Sequence, residues 1–314
     1  MNTIIDYGQG IAAIDSGFTR PLLAAVYCIV EDGRVALVDT AASPNAPTVL
    51  AALAARGLAP AQVDWILLTH IHLDHAGAAG TLMRALPNAK LAVHPRGARH
   101  MADPSRLLAG TVAVYGEAAT REKYGELLPI EAWRIVAVAD DAVLKLGARS
   151  LRALDTPGHA PHHACYLDEA SGHVFAGDAF GLSYRELDRG GRAFALPVTS
   201  PSQFDPEAMH RSLQRLEALQ PEAVYVAHFG QLRDIPRLAG DLHRLIDSFV
   251  AATRAVVGGA AQRQQNLCAA LGKLLEEEGR RQGWGLAGDA LRQLLASDID
   301  LNAQGLLGWL EHQA

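Results

Sequence analysis

The sequence predicts an α/β domain over residues 1–234 followed by an all-helical C-terminal region over 235–314. Three observations carry that expectation. Short apolar runs of strand length alternate with helix-like stretches through the first two-thirds of the chain. Beyond about residue 235 strand signals stop and apolar residues recur at helical spacing. Residues of metal-ligating type, His and Asp, stand directly after several of the apolar runs.

Bulk properties agree with a folded catalytic body. The chain has 314 residues, 49% hydrophobic and 20% charged, enough to bury a sizeable core. A net charge of −6 argues against a dedicated nucleic-acid binder, which needs a basic face. The first residues lack the basic and apolar segments of a signal peptide, and no apolar run is long enough to span a bilayer. Cys28, Cys165 and Cys268 lie far apart in apolar stretches. They read as small core residues of a cytoplasmic protein rather than a disulfide framework.

Taken in order, strands are expected at 22–30, 34–39, 65–69, 90–94, 135–138, 143–146, 151–155, 163–167, 173–176 and 223–227. The first two are joined by a hairpin turn at Glu31-Asp32-Gly33. Helices are expected at 46–56, stopped by Gly57, and at 75–86, stopped before Pro87 and Asn88. Another is expected at 206–219, with Asp205 as N-cap and Pro206 at the first helical position. The C-terminal region opens with Leu238, Leu242, Leu245, Ile246 and Phe249 on one face. Helices over 262–281, 287–297 and 302–312 follow. Such a region packs on the main domain, joins a second subunit as a homodimer, or caps the active site.

The strongest chemical signal is Thr69-His70-Ile71-His72-Leu73-Asp74-His75. Three histidines and a carboxylate fall within six positions, just after an apolar strand. His70 and His72, two apart on extended chain, share a face. Asp74 and His75 fall at the bend into a helix and project towards a second point. Neutral imidazoles with a carboxylate suit Zn, Fe or Mn. His159, Asp178 and His228 each follow a further apolar run. They are expected to converge on the same sheet edge, where open α/β architectures place their sites.

This His-x-His-x-Asp-His run, followed by separate His, Asp and His, resembles the metallo-β-lactamase-fold hydrolase superfamily. The likeness is to its glyoxalase II-like and acyl-thioesterase-like branches, over about residues 22–230. The C-terminal helices resemble those of members that cover the site with an added helical segment, quorum-sensing thioesterases among them. The resemblance implies an αββα sandwich with two divalent ions, Zn first and Fe or Mn as alternatives. It implies one ion on His70, His72 and His159, a second on Asp74, His75 and His228, and Asp178 bridging both. An Asp where the common β-lactamases are expected to carry Cys favours a binuclear hydrolase over lactam cleavage.

The implied reaction is attack of a metal-bridging hydroxide on a thioester or ester carbonyl of a small-molecule substrate. Asp74 is a candidate for orienting the nucleophile, and His162 or His163 for general acid or oxyanion donor. Thr69 and Thr156 are candidates for fixing their neighbours through hydrogen bonds. Phe180, Tyr184 and Arg185, close after Asp178, are candidates for lining a pocket for an acyl group with an anionic end. The stretches 95–125 and 189–203 read as loops or lids. His94, His100, His173, His210 and His243 lack motif context and read as surface or packing residues. Two other classes share the motif: an iron-dependent persulfide dioxygenase and a regulatory binding protein with residual activity. His72, where diiron reductases carry Glu, and the missing flavin domain argue against that third group. The acidic charge and the lack of a long insertion argue against a nuclease.

Overall fold

A computed structural model describes residues 3–199 and 203–313. It divides into two compact units. One comprises residues 3–155, 162–177 and 221–231, and the other 156–161, 178–199, 203–220 and 232–313.

Two sheets organise the first unit. The larger has seven strands in sequence order: β1 (Ile4–Asp6), β2 (Ile11–Asp15), β3 (Ala25–Glu31), β4 (Arg34–Val38), β5 (Val63–Leu67), β6 (Lys90–Val93) and β7 (Ile135–Ala137). Pairing is antiparallel from β1 to β4 and parallel from β4 to β7. The smaller contains β8 (Val143–Leu146), β9 (Arg149–Asp155), β10 (Ala164–Asp168), β11 (His173–Gly177), β12 (Val224–Val226) and β13 (Gly230–Leu232), in the order β13-β12-β11-β10-β9-β8. The predicted hairpin joins β3 to β4, with Glu31 opposite Arg34.

Alternation explains why β3 and β4 are apolar throughout. Tyr27, Ile29, Ala36 and Val38 face the smaller sheet and meet Leu144, Leu151, Tyr166, Phe175 and Tyr225. Their neighbours Val26, Cys28, Val35 and Leu37 face the other way, towards helices α1 (Ala46–Ala55) and α3 (Ala79–Ala85). A strand buried on both faces reads as a continuous hydrophobic run. Cys28 sits wholly inside this core, and burial pushes its thiol up to about 11. Cys165 is also buried, whereas Cys268 is half-buried.

Several expectations need correction. The strand expected at 22–30 starts only at Ala25, because Leu22 adopts a φ of 55° and its N–H turns to Asp15 Oδ2 at 3.1 Å. β1, β2 and β13 are short strands that went unread. The helix expected at 75–86 is split into α2 (Leu73–Ala76) and α3. Between them Ala78 N–H bonds to Ala41 O, and Gly77 lies so close to Leu73 O that a Cβ there would stand 2.3 Å away. Most of the expected loop 95–125 is helical: α4 (Pro95–Ala102), α5 (Ser105–Tyr115) and α6 (Glu117–Tyr124). Pro95 opens α4 at its first position, and Asp103 Oδ1 accepts the Ser105 N–H at 3.1 Å as α5 begins. The second expected loop, 189–203, is irregular where described, and residues 200–202 lie outside the described part.

Four long helices dominate the second unit: α7 (Pro206–Ala218), α8 (Ile235–Ala255), α9 (Ala260–Gln282) and α10 (Gly288–Glu311). Asp205 caps α7 as the sequence predicts, accepting the Ala208 N–H at 3.0 Å. The predicted apolar face of α8 is buried, together with Leu267, Leu271 and Leu275 of α9 and Leu291, Leu295 and Leu306 of α10. The two helices expected at 287–297 and 302–312 are one, α10. Asn302, of a residue type whose side chain competes with the helix backbone, lies inside it. Here that side chain is engaged elsewhere, with Pro197 and Thr199. No helix among the described residues is long and apolar enough to cross a membrane.

Candidate metal centre

In the first unit His70, His72, Asp74 and His75 follow the C-terminal end of β5, a strand that runs parallel between β4 and β6, and His228 follows β12. The chain stays extended through His72, whose φ of −63° and ψ of 150° make it the N-cap of α2. His70 and His72 therefore share a side, with His70 Nε2 2.9 Å from His72 Nδ1. Asp74 and His75 lie in the single turn of α2. Together with His228 they bring one ligand atom each within 4.8 Å of one another, a group able to hold an ion.

Tautomers follow from the partners. His75 Nδ1 lies 3.0 Å from Asp39 Oδ2, and His228 Nδ1 lies 3.1 Å from Leu23 O. A carboxylate or carbonyl oxygen only accepts, so each Nδ1 carries the proton and each Nε2 presents a lone pair. His70 is set through a relay. Its Nδ1 lies 3.1 Å from Thr69 Oγ1, which lies 3.0 and 2.9 Å from the two oxygens of Asp39. The hydroxyl gives its one proton to Asp39, so His70 Nδ1–H donates to the hydroxyl and His70 Nε2 is the lone-pair nitrogen. Asp39 also accepts the Thr69 N–H at 2.8 Å. Thr69 thus has the supporting role that the sequence suggests, whereas Asp39 was read only as the end of a strand. Its one visible signal is a carboxylate closing the apolar run Val35-Ala36-Leu37-Val38.

In the second unit His159 and Asp178 are paired, Nε2 to Oδ2 at 3.4 Å, with side chains only 2% and 3% exposed. His159 Nδ1 donates to Val198 O at 2.9 Å, so here too Nε2 is the lone-pair nitrogen. The turn before it requires glycine. Gly158 has a φ of 134°, and a Cβ there would stand 2.4 Å from the Met209 backbone. Ser212 and Asp205 fix the same turn, Ser212 Oγ donating to Pro157 O and the Asp205 N–H to Gly158 O. Asp178 leaves β11 and enters a turn closed by the Gly181 N–H on Asp178 O at 3.1 Å.

These arrangements fit metal ions. His159 Nε2 faces Asp178, and His228 Nε2 and His75 Nε2 face Asp74 Oδ2 at 3.4 and 3.6 Å. A lone pair opposed to a carboxylate oxygen at such distances is repulsive unless a cation lies near both. Burying Asp178 without one is costly. His70, His75, His159 and His228 each tie the outer nitrogen to an oxygen, the pattern of metal-binding histidines.

The other sequence candidates separate by exposure. His163 is wholly buried, its ring 5.1 Å from that of His70. His162 is half-buried, with ring distances of 5.6 Å to His72 and 6.3 Å to His70. Phe180 is fully buried, and Tyr184 donates to Asp298 Oδ1 at 2.8 Å. Arg185 is held by Ser183 and by Asp188, the latter at 3.1 Å. His173 pairs with Tyr225 Oη, and His210 with His243 across α7 and α8, as packing residues would. Sequence reading missed Tyr124 of α6, whose phenol burial and the charge of Asp74 push well above its usual range.

The chain is similar to known proteins over most of its length. Residues 19–228 match the family model of the metallo-beta-lactamase superfamily. The protein YobT of Bacillus subtilis, itself uncharacterized, is 31% identical over 210 residues, covering 66% of this chain and 83% of YobT. A hydroxyacylglutathione hydrolase of Xanthomonas axonopodis pv. citri is 29% identical over 215 residues. The match covers 68% of this chain but only 61% of that enzyme. Among solved structures, an archaeal metallo-beta-lactamase superfamily protein from Sulfolobus tokodaii superposes with a TM-score of 0.67 at 22% identity. It covers 95% of this chain and 98% of its own, and so shares the fold through the C-terminal helices.

Proposed function

Because the chain belongs to the metallo-beta-lactamase superfamily, we propose that it is a binuclear metal-dependent hydrolase of a thioester or ester. In this reading His70, His72 and His159 would hold one ion, Asp74, His75 and His228 the other, and Asp178 would serve both. The observation that carries it is the matched set of lone-pair nitrogens opposed to the carboxylates of Asp74 and Asp178. Similarity to hydroxyacylglutathione hydrolases supports a thioester as substrate class.

When bound, two such ions supply Lewis acidity and a water acidic enough to react near neutral pH. The chain's own residues do the rest. Asp39 keeps His70 and His75 in the ligating tautomer, and the Val198 and Leu23 carbonyls do so for His159 and His228. Asp74, 23% exposed, accepts a proton from the incoming nucleophile and orients it. His162, with a face towards solvent, hands a proton to the leaving thiolate or alkoxide. His163, wholly enclosed, is the less accessible of the pair. Of the acyl-pocket candidates, Phe180 and Tyr184 are enclosed and serve packing, which leaves the partly exposed Arg185, paired with Asp188, as the one to meet an anionic end of the acyl group.

The test is thiol release from hydroxyacyl- and acyl-thioesters by protein reconstituted with Zn, Fe or Mn, before and after chelation. The reading expects turnover that chelation abolishes and metal restores. Metal-loaded protein that hydrolyses no thioester or ester would overturn it.

A further inference from the structure

The C-terminal helix α10 is tied to the strap 196–199 by an unusually complete set of bonds. Asn302 Oδ1 accepts the Thr199 N–H at 2.7 Å and lies 2.9 Å from Thr199 Oγ1. Its Nδ2 donates to Pro197 O at 3.2 Å, and Thr199 Oγ1 reaches Asn302 O at 2.9 Å. Thr199 is 1% exposed and Asn302 5% exposed. A buried amide is costly unless satisfied, and this one is satisfied by the residues on both sides of Val198. Val198 O is the acceptor that fixes His159.

The strap is held again at its start. Leu182 and Leu196 exchange both backbone bonds at 2.9 Å, four residues after Asp178. One turn before Asn302 on the same face of α10, Asp298 accepts the Tyr184 hydroxyl. The segment after Asp178 is thus anchored twice to one face of α10, and His159 reaches that anchored segment through Val198 O.

Resting on the hydrolase reading above, we infer that Asn302 is a positioning residue for the metal ligand His159, acting through the Val198 carbonyl. The helical region is then part of the metal centre's support and not only a cover or packing surface. Removing Asn302 releases the 197–199 backbone, and His159 loses the acceptor that sets its tautomer and ring angle.

Three variants test this: Asn302→Ala; Asn302→Asp, which keeps the acceptor oxygens; and Leu306→Ala, a core truncation in the same helix. In metal-free protein the imidazole proton of His159 is followed by nitrogen-15 NMR. It should be slow to exchange and on Nδ1 in the parent and in Leu306→Ala. In Asn302→Ala it should be averaged between the two nitrogens, and Asn302→Asp should recover most of the parent signal. With Co²⁺ as probe, Asn302→Ala should bind one of two equivalents about 10–100-fold more weakly, with an altered visible spectrum. Leu306→Ala should lower Tm and leave both equivalents unchanged. A parent-like His159 signal in Asn302→Ala overturns the inference whatever the metal result. So does an equal loss in Leu306→Ala, which marks a merely structural role. Failure of the hydrolase reading shows separately, as parent protein that binds Co²⁺ or Zn²⁺ without cleaving thioesters.

Discussion

The two units bear their ligand-type residues in opposite ways. In the first, four of them fall within His70–His75, where a single carboxylate, Asp39, at the end of the neighbouring strand supports His70 through Thr69 and His75 directly, while His228 stands apart on the Leu23 carbonyl. In the second, His159 and Asp178 are single residues on separate turns. His159 is supported by a carbonyl at Val198 and, behind it, by Asn302 more than a hundred positions along the chain. Local ligands need one well-placed acceptor, whereas dispersed ligands need the packing of a whole helical unit. Damage to the first should be chemical and local, and damage to the second should follow folding of the helices.

The largest effect is expected from Asp178→Ala. It removes a buried carboxylate that faces His159, and at least one ion should be lost, with a fall in turnover of more than about 100-fold, beyond the range for outer partners. Circular dichroism should show the fold retained, and full metal content by elemental analysis would break the bridge assignment. Next comes Asp39→Ala, which disturbs His70 and His75 together. Metal affinity should drop about 10–100-fold, read by a competition titration against a chelator, and Tm should fall too because the Thr69 N–H and His75 Nδ1 lose a buried acceptor. Gly158→Ala sharpens the contrast from the other side. A Cβ 2.4 Å from Met209 should cost about 1–3 kcal/mol of stability. Chemical denaturation would show it, and metal loss should accompany it because His159 is the next residue.

The smallest effect concerns His94, which follows a strand of the first unit without being a ligand. Burial lowers its pKa below the ordinary 6.5, partly offset by Asp155. A depressed histidine is neutral when folded, so its contribution is full above 6.5 and falls as pH drops below that value. Replacing His94 with Gln should flatten the stability profile slightly between pH 7 and 5. An unchanged profile would show that the unfolded chain feels the same environment.

What the sequence disclosed follows the same division. The cluster at His70–His75 was legible because its chemistry is contiguous and opens at the end of an apolar strand. His159, Asp178 and His228 were legible only as a series, each at a strand end. Helix α5 was missed because none of its residues is buried, so no apolar stripe marks it. Asp39 looked like the close of a strand, since its partners Thr69 and His75 lie thirty or more positions away. The break expected before Asn302 was a sound local inference that tertiary contact overrides. Its partners at 197–199 lie too far along the chain for any local pattern to reveal.

Asp39 grips one ring through Thr69 and another directly, and the two rings are proposed to serve different ions. The two rings therefore share one anchor, and a disturbance of that oxygen pair is felt by both.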